Sequence, residues 1–300
     1  MTIAILYGVS YNYPIEGKAN AFQIDGGNCN ETAEKLTALF LAGITAATLG
    51  ACTKEGGQSG NGSQNQEEKD QIVLGTSADY APFEFHKIVN GEDTIMGCDV
   101  ALAQKIADDM GKELVIKDMD FNSLLTELDN GTVDFVIASL APNEERKEQV
   151  DFSDYYYTGG ICCLVRVEDV DTYTTPDSLA GHSVAAQTSS IHEKVAKDQM
   201  ADSPLVSLGK VPDMIMQLKT GKVDAVLMDK DTADGYLAEN DDLAQASFEV
   251  FYEESTCAVA VKKGNTQLLE QINETVKEVK EQGLFDQYME EAKAQAPSED

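Results

Sequence analysis

The 300-residue chain has no tryptophan, only seven prolines and only three histidines (His86, His182, His192). Its 22 lysines and arginines are outnumbered by 53 aspartates and glutamates. Each shortage closes a class of function. A formal charge of −31 repels polyanions, because a phosphate backbone is bound by basic side chains that displace its counterions. Nucleic acid is therefore excluded as a partner, whereas a small cation or zwitterion is compatible. The six cysteines (Cys29, Cys52, Cys98, Cys162, Cys163, Cys257) contain no C-x-x-C pair, and no two histidines stand four residues apart. Zinc-ligand spacing is thus missing, and neither a metal nor a cofactor is expected. A chain of this length does not need disulfide staples, so Cys162, Cys163 and Cys257 read first as small buried residues. A cross-strand disulfide among them is the alternative. The longest uncharged apolar run falls short of the roughly 18–20 residues that span a bilayer.

What is present is ordinary globular material, 42% apolar and 25% charged, enough for about two domains at ~150 residues each. The uncharged run covers residues 36–51 (LTALFLAGITAATLGA), with Lys35 just before it and Cys52 just after. Its length fits the apolar region of a secretory signal, and Leu49-Gly50-Ala51-Cys52 looks like a bacterial lipobox, with Cys52 as the lipid-bearing residue. Residues 53–70 (TKEGGQSGNGSQNQEEKD) hold no aliphatic or aromatic side chain. Such a stretch buries no face and serves as a tether. Residues 1–34 depart from the signal pattern, because they do not open with a short basic region and Glu31 and Glu34 precede Lys35.

Beyond the tether, strand and helix patterns alternate, which argues an α/β architecture. Residues 99–111 (DVALAQKIADDMG) predict a helix with Val100, Ala103, Ile106, Ala107 and Met110 on one stripe, Asp99 as N-cap and Gly111 as C-cap. A repeat follows at a separation of 90 residues. Residues 128–139 (LDNGTVDFVIAS) match 218–229 (LKTGKVDAVLMD), each reading as a helix end, a glycine stop and a buried strand. The twelfth position is polar in both copies, Ser139 in one and Asp229 in the other. Open α/β sheets bind ligands at the carboxyl ends of strands, so two similar lobes would each offer a polar group to one cleft. Two sharper-looking signals fail on inspection. Residues 181–185 (GHSVA) lack the fifth residue of a hydrolase elbow. Residues 229–240 misplace the glycine of a calcium loop and end in Asn240.

The motifs GTSADYAPFEF (75–85), GCDVALAQKIADDMG (97–111), ASLAPNEERKEQVDFSDYYY (138–157), SLAGHSVAAQTSS (178–190) and GKVDAVLMD (221–229) together resemble the amino-acid-binding family of extracytoplasmic solute-binding proteins that serve ABC importers. The resemblance covers roughly residues 71–290. It implies a two-lobed, periplasmic-binding-protein-like (type II) α/β fold, its discontinuous lobes joined by two crossing strands with a ligand cleft between them. The expected division is a signal region at 1–51, anchor cysteine and tether at 52–70, a first lobe at 71–162 plus 256–295, a second at 163–255, and a tail at 296–300. The family pattern places a ligand α-carboxylate on Arg146, whose planar fork makes two parallel charge-assisted bonds that lysine cannot, and an α-ammonium on Asp229. Ser139 and the backbone at Ala141 would add contacts. Ser189 and Ser190 match a carboxylate-binding turn of the second lobe, and Tyr80 and Phe83 match aromatics that cover the ligand side chain.

This sequence departs from the pattern at Cys98, usually Phe, at Ala141, usually Ser or Thr, and at Thr188, usually Gly, which bears on the geometry of that turn. Ser77 stands where relatives that bind cationic side chains often carry an acid, so polar amino acids lead, with cystine and glutamine also open. The resemblance implies a lipid-anchored monomer outside the cytoplasm that closes on its ligand, delivers it to a membrane permease and performs no covalent chemistry. The rival on the same scaffold is a cyclohexadienyl dehydratase-like lyase, which needs an acid–base group over its substrate and would set Asp229 against a second anion. A surface protein with a vestigial cleft is the third class.

Overall fold

The computed structural model describes residues 70–252 and 255–296; the apolar run, Cys52 and nearly all of the tether lie outside the described residues, as do 297–300. From the amino end, the first sheet and its cover comprise β1 (Gln71–Thr76), β2 (Asp79–Tyr80), β3 (Glu84–Val89), β4 (Glu92–Met96), α1 (Cys98–Asp109), β5 (Glu113–Asp118), α2 (Leu124–Asn130), β6 (Phe135–Val136), α3 (Glu144–Gln149) and β7 (Val150–Thr158). The chain then crosses into β8 (Ile161–Arg166), β9 (Val184–Gln187), α4 (Ile191–Gln199), β10 (Leu205–Leu208), α5 (Val211–Lys219), β11 (Ala225–Asp229), α6 (Lys230–Glu239) and β12 (Leu243–Gln245). It returns to the first sheet through β13 (Thr256–Lys262) and ends in α7 (Thr266–Gln282) and α8 (Leu284–Lys293).

One sheet is ordered β5-β1-β6-β13-β7 and the other β10-β9-β11-β8-β12, with β2-β3-β4 as a small third sheet. The sequence explains which strands sit centrally. A strand covered by helices on both faces must be apolar throughout, and in AVLMD of β11 all five residues are buried. The cover follows helical spacing: α7 buries Ile272, Thr275, Val276 and Val279, is capped by the Asn265 side chain, and stops at the left-handed Gly283.

Both copies of the repeat take the expected form. In the first, α2 ends at left-handed Gly131 before β6; in the second, α5 is followed by left-handed Gly221 before β11. Two local expectations are corrected. The N-cap of α1 is Gly97 rather than Asp99, because Asp99 is drawn inward to the Ser139 N–H and the Tyr156 hydroxyl. Gly97 has φ 135° and an added Cβ would lie 2.1 Å from the Phe83 carbonyl oxygen, so no other residue fits that turn. The buried stripe of α1 takes in Leu102 while Val100 and Met110 are half-exposed; Gly111 is left-handed, one residue past the C-cap Met110.

The turn between the lobes is Gly159-Gly160. Ile161 and Cys162, expected at the end of the first lobe, pair with Asp229 and Met228 in the second sheet, since two adjacent glycines end β7 before them. The second crossing lies between β12 and β13, where Gly159 N–H donates to the Ser255 carbonyl at 3.0 Å. Cys98, Cys162, Cys163 and Cys257 are free and buried. No helix among the described residues is long and apolar enough to cross a membrane.

Candidate functional site

Four strand ends converge between the lobes. Ser77 follows β1, Ser139 follows β6 after two residues, Ser189 follows β9, and Asp229 closes β11. These are the carboxyl ends of mutually parallel strands, the side of an open α/β sheet where ligands bind. The two twelfth residues of the repeat meet: Ser139 Oγ donates to Asp229 Oδ2 at 3.1 Å. Tyr80 Oη donates to the same oxygen at 3.0 Å and accepts the Asp229 backbone N–H at 2.9 Å. Burial and the neighbouring Asp229 push the Tyr80 phenol well above its ordinary pKa, so it stays a donor. His192 Nε2 lies 3.3 Å from Asp229 Oδ1.

Arg146 is presented by α3, whose N-cap Asn143 accepts the Arg146 backbone N–H. Its guanidinium is 7% exposed in residue terms. Nη1 donates to the Ala141 carbonyl at 2.6 Å, and Nη2 to the Ser189 carbonyl, across the cleft, at 2.8 Å. The cation lies 5.5 Å above the Phe121 ring, a cation–π arrangement. Burial pulls the Arg146 pKa down to about 10, with Tyr252 and Glu145 opposing the shift; the group remains charged at neutral pH.

Arg146 thus rests on carbonyl oxygens of both lobes, and Asp229 on two hydroxyls of the first lobe and the His192 imidazole of its own. A buried charge is stabilised by such dipoles less than by an opposite charge. Phe83, Ser139, Ala141, Tyr157, Ile191, Asp229 and Cys257 are among the residues around a small, partly open space of about 10 Å³. That is about the room needed by one water molecule and far below the roughly 300–1,000 Å³ of a small-molecule pocket. A ligand enters only when the lobes part and the Tyr80–Asp229, Ser139–Asp229 and Arg146–Ser189 bonds open.

Tyr80 and Phe83 stack with centroids 5.9 Å apart, and Phe83 meets Tyr157 edge-on at 5.7 Å. Both lie in one buried apolar cluster that reaches Val211 and Met214 of the second lobe. Ser77 is placed differently from the rest: its hydroxyl donates to Asp79 at 3.2 Å and it does not line that small space. Ser190 caps α4, accepting the Glu193 N–H, and donates to the Gln187 carbonyl at 2.6 Å. The turn that Thr188 put in question is left-handed at the next residue, Ser189, with φ 64°. The hydrolase-like Ser183 donates to Asp224, and residues 230–239 form α6 rather than a calcium loop.

Three contributors were missed by sequence reasoning. Phe121 sits in a 3₁₀ turn (Phe121–Ser123) with no motif. His192 stands two residues past Ser190, a spacing that does point along α4 to the cleft. Tyr157, inside a quoted motif, donates to Asp231 of the second lobe at 2.5 Å. Lys293 of α8 holds the other Asp231 oxygen at 2.9 Å, so the lobes are latched at their rim as well as at the centre.

The chain is similar to known proteins along nearly all of its described length. It is 34% identical over 253 residues to the arginine-binding extracellular protein ArtP of Bacillus subtilis, covering 83% of this chain and 94% of that one. It also superimposes on the amino acid ABC transporter substrate-binding protein AbpA of Streptococcus pneumoniae bound to L-arginine, with TM-score 0.74, 36% identity, and coverage of 77% of this chain and 97% of that one. An ancestral amino-acid-binding protein, AncCDT-1, a precursor of cyclohexadienyl dehydratase, matches with TM-score 0.67 at 26% identity, over 74% of this chain and 94% of that one. Residues 72–292 match the family profile itself. The two-lobed type II fold and the motif resemblance accordingly have one explanation: the chain belongs to the bacterial extracellular solute-binding proteins, family 3.

Proposed function

We propose that the protein captures a free α-amino acid between its lobes, with L-arginine the first candidate, and hands it to the permease of an ABC importer. The observation that carries this reading is the opposed pair of buried charges, Arg146 on carbonyls and Asp229 on hydroxyls. A zwitterion matches both at once: its carboxylate takes the guanidinium fork from the Ala141 and Ser189 carbonyls, and its ammonium takes Asp229 from Tyr80 and Ser139. The guanidinium exchanges carbonyl oxygens for a carboxylate and Asp229 exchanges hydroxyls for an ammonium, which favours the ligand in a water-poor site. L-arginine leads because ArtP is named as an arginine-binding protein and the AbpA structure is bound to L-arginine. Ser77, where an acid would favour a cationic side chain, donates to Asp79, so other polar amino acids stay in the screen beside L-arginine.

Binding is followed by closure through bending at the two crossings, a motion of hinge type, and by recognition of the closed form. The chain works as a monomer outside the cytoplasm, held to the membrane by lipid on Cys52, and carries out no covalent step. A thermal-shift screen against the twenty amino acids tests the reading: stabilisation by L-arginine or another amino acid is expected. Silence across the set, with turnover of prephenate or arogenate, would transfer the chain to the lyase class. Silence in both assays would leave the cleft without a role. Release of the full-length protein from the membrane fraction by Cys52→Ser is the expected result for the anchor.

A further inference from the structure

Two carboxyl groups beneath the cleft take no part in that reading. Glu84 opens β3 and is 1% exposed; Asp99, in the first turn of α1, is 0% exposed. The tight turn at Gly97 brings them together, since Cys98 and Asp99 donate their N–H groups to the Pro82 and Phe83 carbonyls just before Glu84. The ionisable groups facing Glu84 are Asp99 and the Cys98 thiol on α1, Asp79 on β2, Tyr156 on β7, Asp229 on β11 and Cys257 on β13. Cys98, Tyr156, Asp229 and Cys257 face Asp99 as well. Every one is acidic, and among the described residues no lysine or arginine answers either carboxyl.

The hydrogen bonds are asymmetric. Asp99 Oδ2 accepts the Ser139 N–H at 2.7 Å and the Tyr156 hydroxyl at 2.9 Å. Asp99 Oδ1 and Glu84 Oε2 are buried without any hydrogen-bond partner, on neighbouring segments that the Asp99 N–H to Phe83 carbonyl bond ties together. Leaving two buried carboxyl oxygens unmet is costly, and two adjacent buried carboxylates with no cation cannot both be ionised. A single proton meets both needs when it sits on Glu84 and is donated to Asp99.

We propose that Glu84 and Asp99 hold one proton between them in the folded protein at neutral pH, resident on Glu84. Asp99, kept ionised as its acceptor, then fixes Ser139 in its left-handed turn and aims the Ser139 hydroxyl at Asp229. Asp99 is a positioning residue and Glu84 its neutral support. The positioning half rests on the reading of the cleft above; the proton itself does not. Ser139 has φ 45°, a conformation that a serine holds only where its surroundings enforce it, and the bond from its N–H to Asp99 is that enforcement. Burial pushes the Glu84 carboxyl well above its ordinary range, with Asp99 adding to the effect. Burial also raises Asp99, to about 6, against the pull of the Ser139 and Tyr156 donors.

The sign of the pH effect follows. Above the ordinary glutamate pKa of about 4.3, the unfolded chain has lost a proton that the folded chain keeps on Glu84. The folded state binds the extra proton, so stability declines as pH rises through that window, by about tenfold in the folding constant per pH unit for one proton. Glu84→Gln has the shape and the donor of the protonated acid and does not titrate. Urea unfolding of wild type and Glu84→Gln between about pH 6 and pH 8 should therefore give a stability ratio that moves about tenfold per pH unit in favour of the variant. Parallel profiles would overturn the proton pair.

Infrared spectroscopy of the wild type at neutral pH supplies a readout that needs no variant to fold. A carboxylic-acid C=O band is expected, disappearing in Glu84→Gln, and its absence from the wild type would equally overturn the proposal. For the positioning half, the Ser139 amide proton should resonate downfield in wild type and Glu84→Gln and return upfield in Asp99→Asn. An unchanged resonance in Asp99→Asn would remove Asp99 from that role. If L-arginine and the other amino acids leave the wild type unstabilised while the band and pH profile appear, the ligand reading falls and the shared proton stands.

Discussion

In the first lobe β6 lies between parallel β1 and antiparallel β13; in the second, β11 lies between parallel β9 and antiparallel β8. Each central strand is preceded by a helix and a left-handed glycine, and the residue that ends each copy of the repeat reaches the cleft. The chemistry then diverges. The second lobe ends its strand in an acid with α6 starting at the next residue. The first lobe ends its copy in a left-handed serine, backs it with a buried acid pair, and sends an arginine in from a six-residue helix. The comparison teaches that the repeated backbone delivers two equivalent positions, a serine and an acid, while the first lobe's cation comes from a separate helix. The two opposite charges come from different lobes, Arg146 from the first and Asp229 from the second.

The largest expected effect comes from removing the Arg146 guanidinium. Arg146→Ala should weaken the amino acid that binds by roughly 1,000-fold, or about 4 kcal/mol, in a calorimetric titration; undiminished binding would remove the carboxylate role. Next come the first residues of the repeat, Leu128 and Leu218, both fully buried. Replacing either by alanine should cost about 3 kcal/mol, and similar losses in urea unfolding would show that the two copies carry equal structural weight. A cost confined to one lobe would end the structural parallel.

The acid of the second lobe comes third. Asp229→Asn keeps hydrogen bonding to Tyr80 and Ser139 but removes the charge, and affinity should fall about 30-fold, close to 2 kcal/mol. Smallest are the glycine stops. Gly131 and Gly221 have φ 76° and 70° and open space around them, so Gly→Ala at either costs only the left-handed backbone penalty, about 1 kcal/mol. A difference between the two melting shifts would sharpen the comparison by showing which turn is under greater constraint.

Much of the fold was legible because it rests on local grammar. The glycine stops, the apolar strands and the 90-residue repeat are patterns within a few residues of each other, and the structure keeps them. The Asp99 expectation failed for an instructive reason. A buried aspartate and a capping aspartate look alike at the start of an apolar stripe, and only the position of the Ser139 N–H, 40 residues away, decides between them. Ser190, matched to a carboxylate-binding turn in the sequence, is the N-cap of α4 in the structure. Ile161 and Cys162 were assigned across the wrong side of the crossing because a strand of uniformly apolar residues does not say which sheet it joins.

By itself the sequence determined the α/β architecture, the pairing of Ser139 with Asp229 as equivalent positions, and the presence of only two arginines, Arg146 and Arg166, in a strongly acidic chain. Periodicity, turn residues and charge are read along the chain, and these three conclusions needed nothing more, whereas the two-lobed form came with the family resemblance. Tertiary structure alone decided that Tyr80, Ser139 and His192 converge on Asp229, that Arg146 rests on the carbonyls of both lobes, and that Glu84 and Asp99 lie together without a cation. Those contacts join residues separated by between 5 and 149 positions. Their energies come from burial and from which polar atom finds a partner, and both are set only when the chain has closed upon itself.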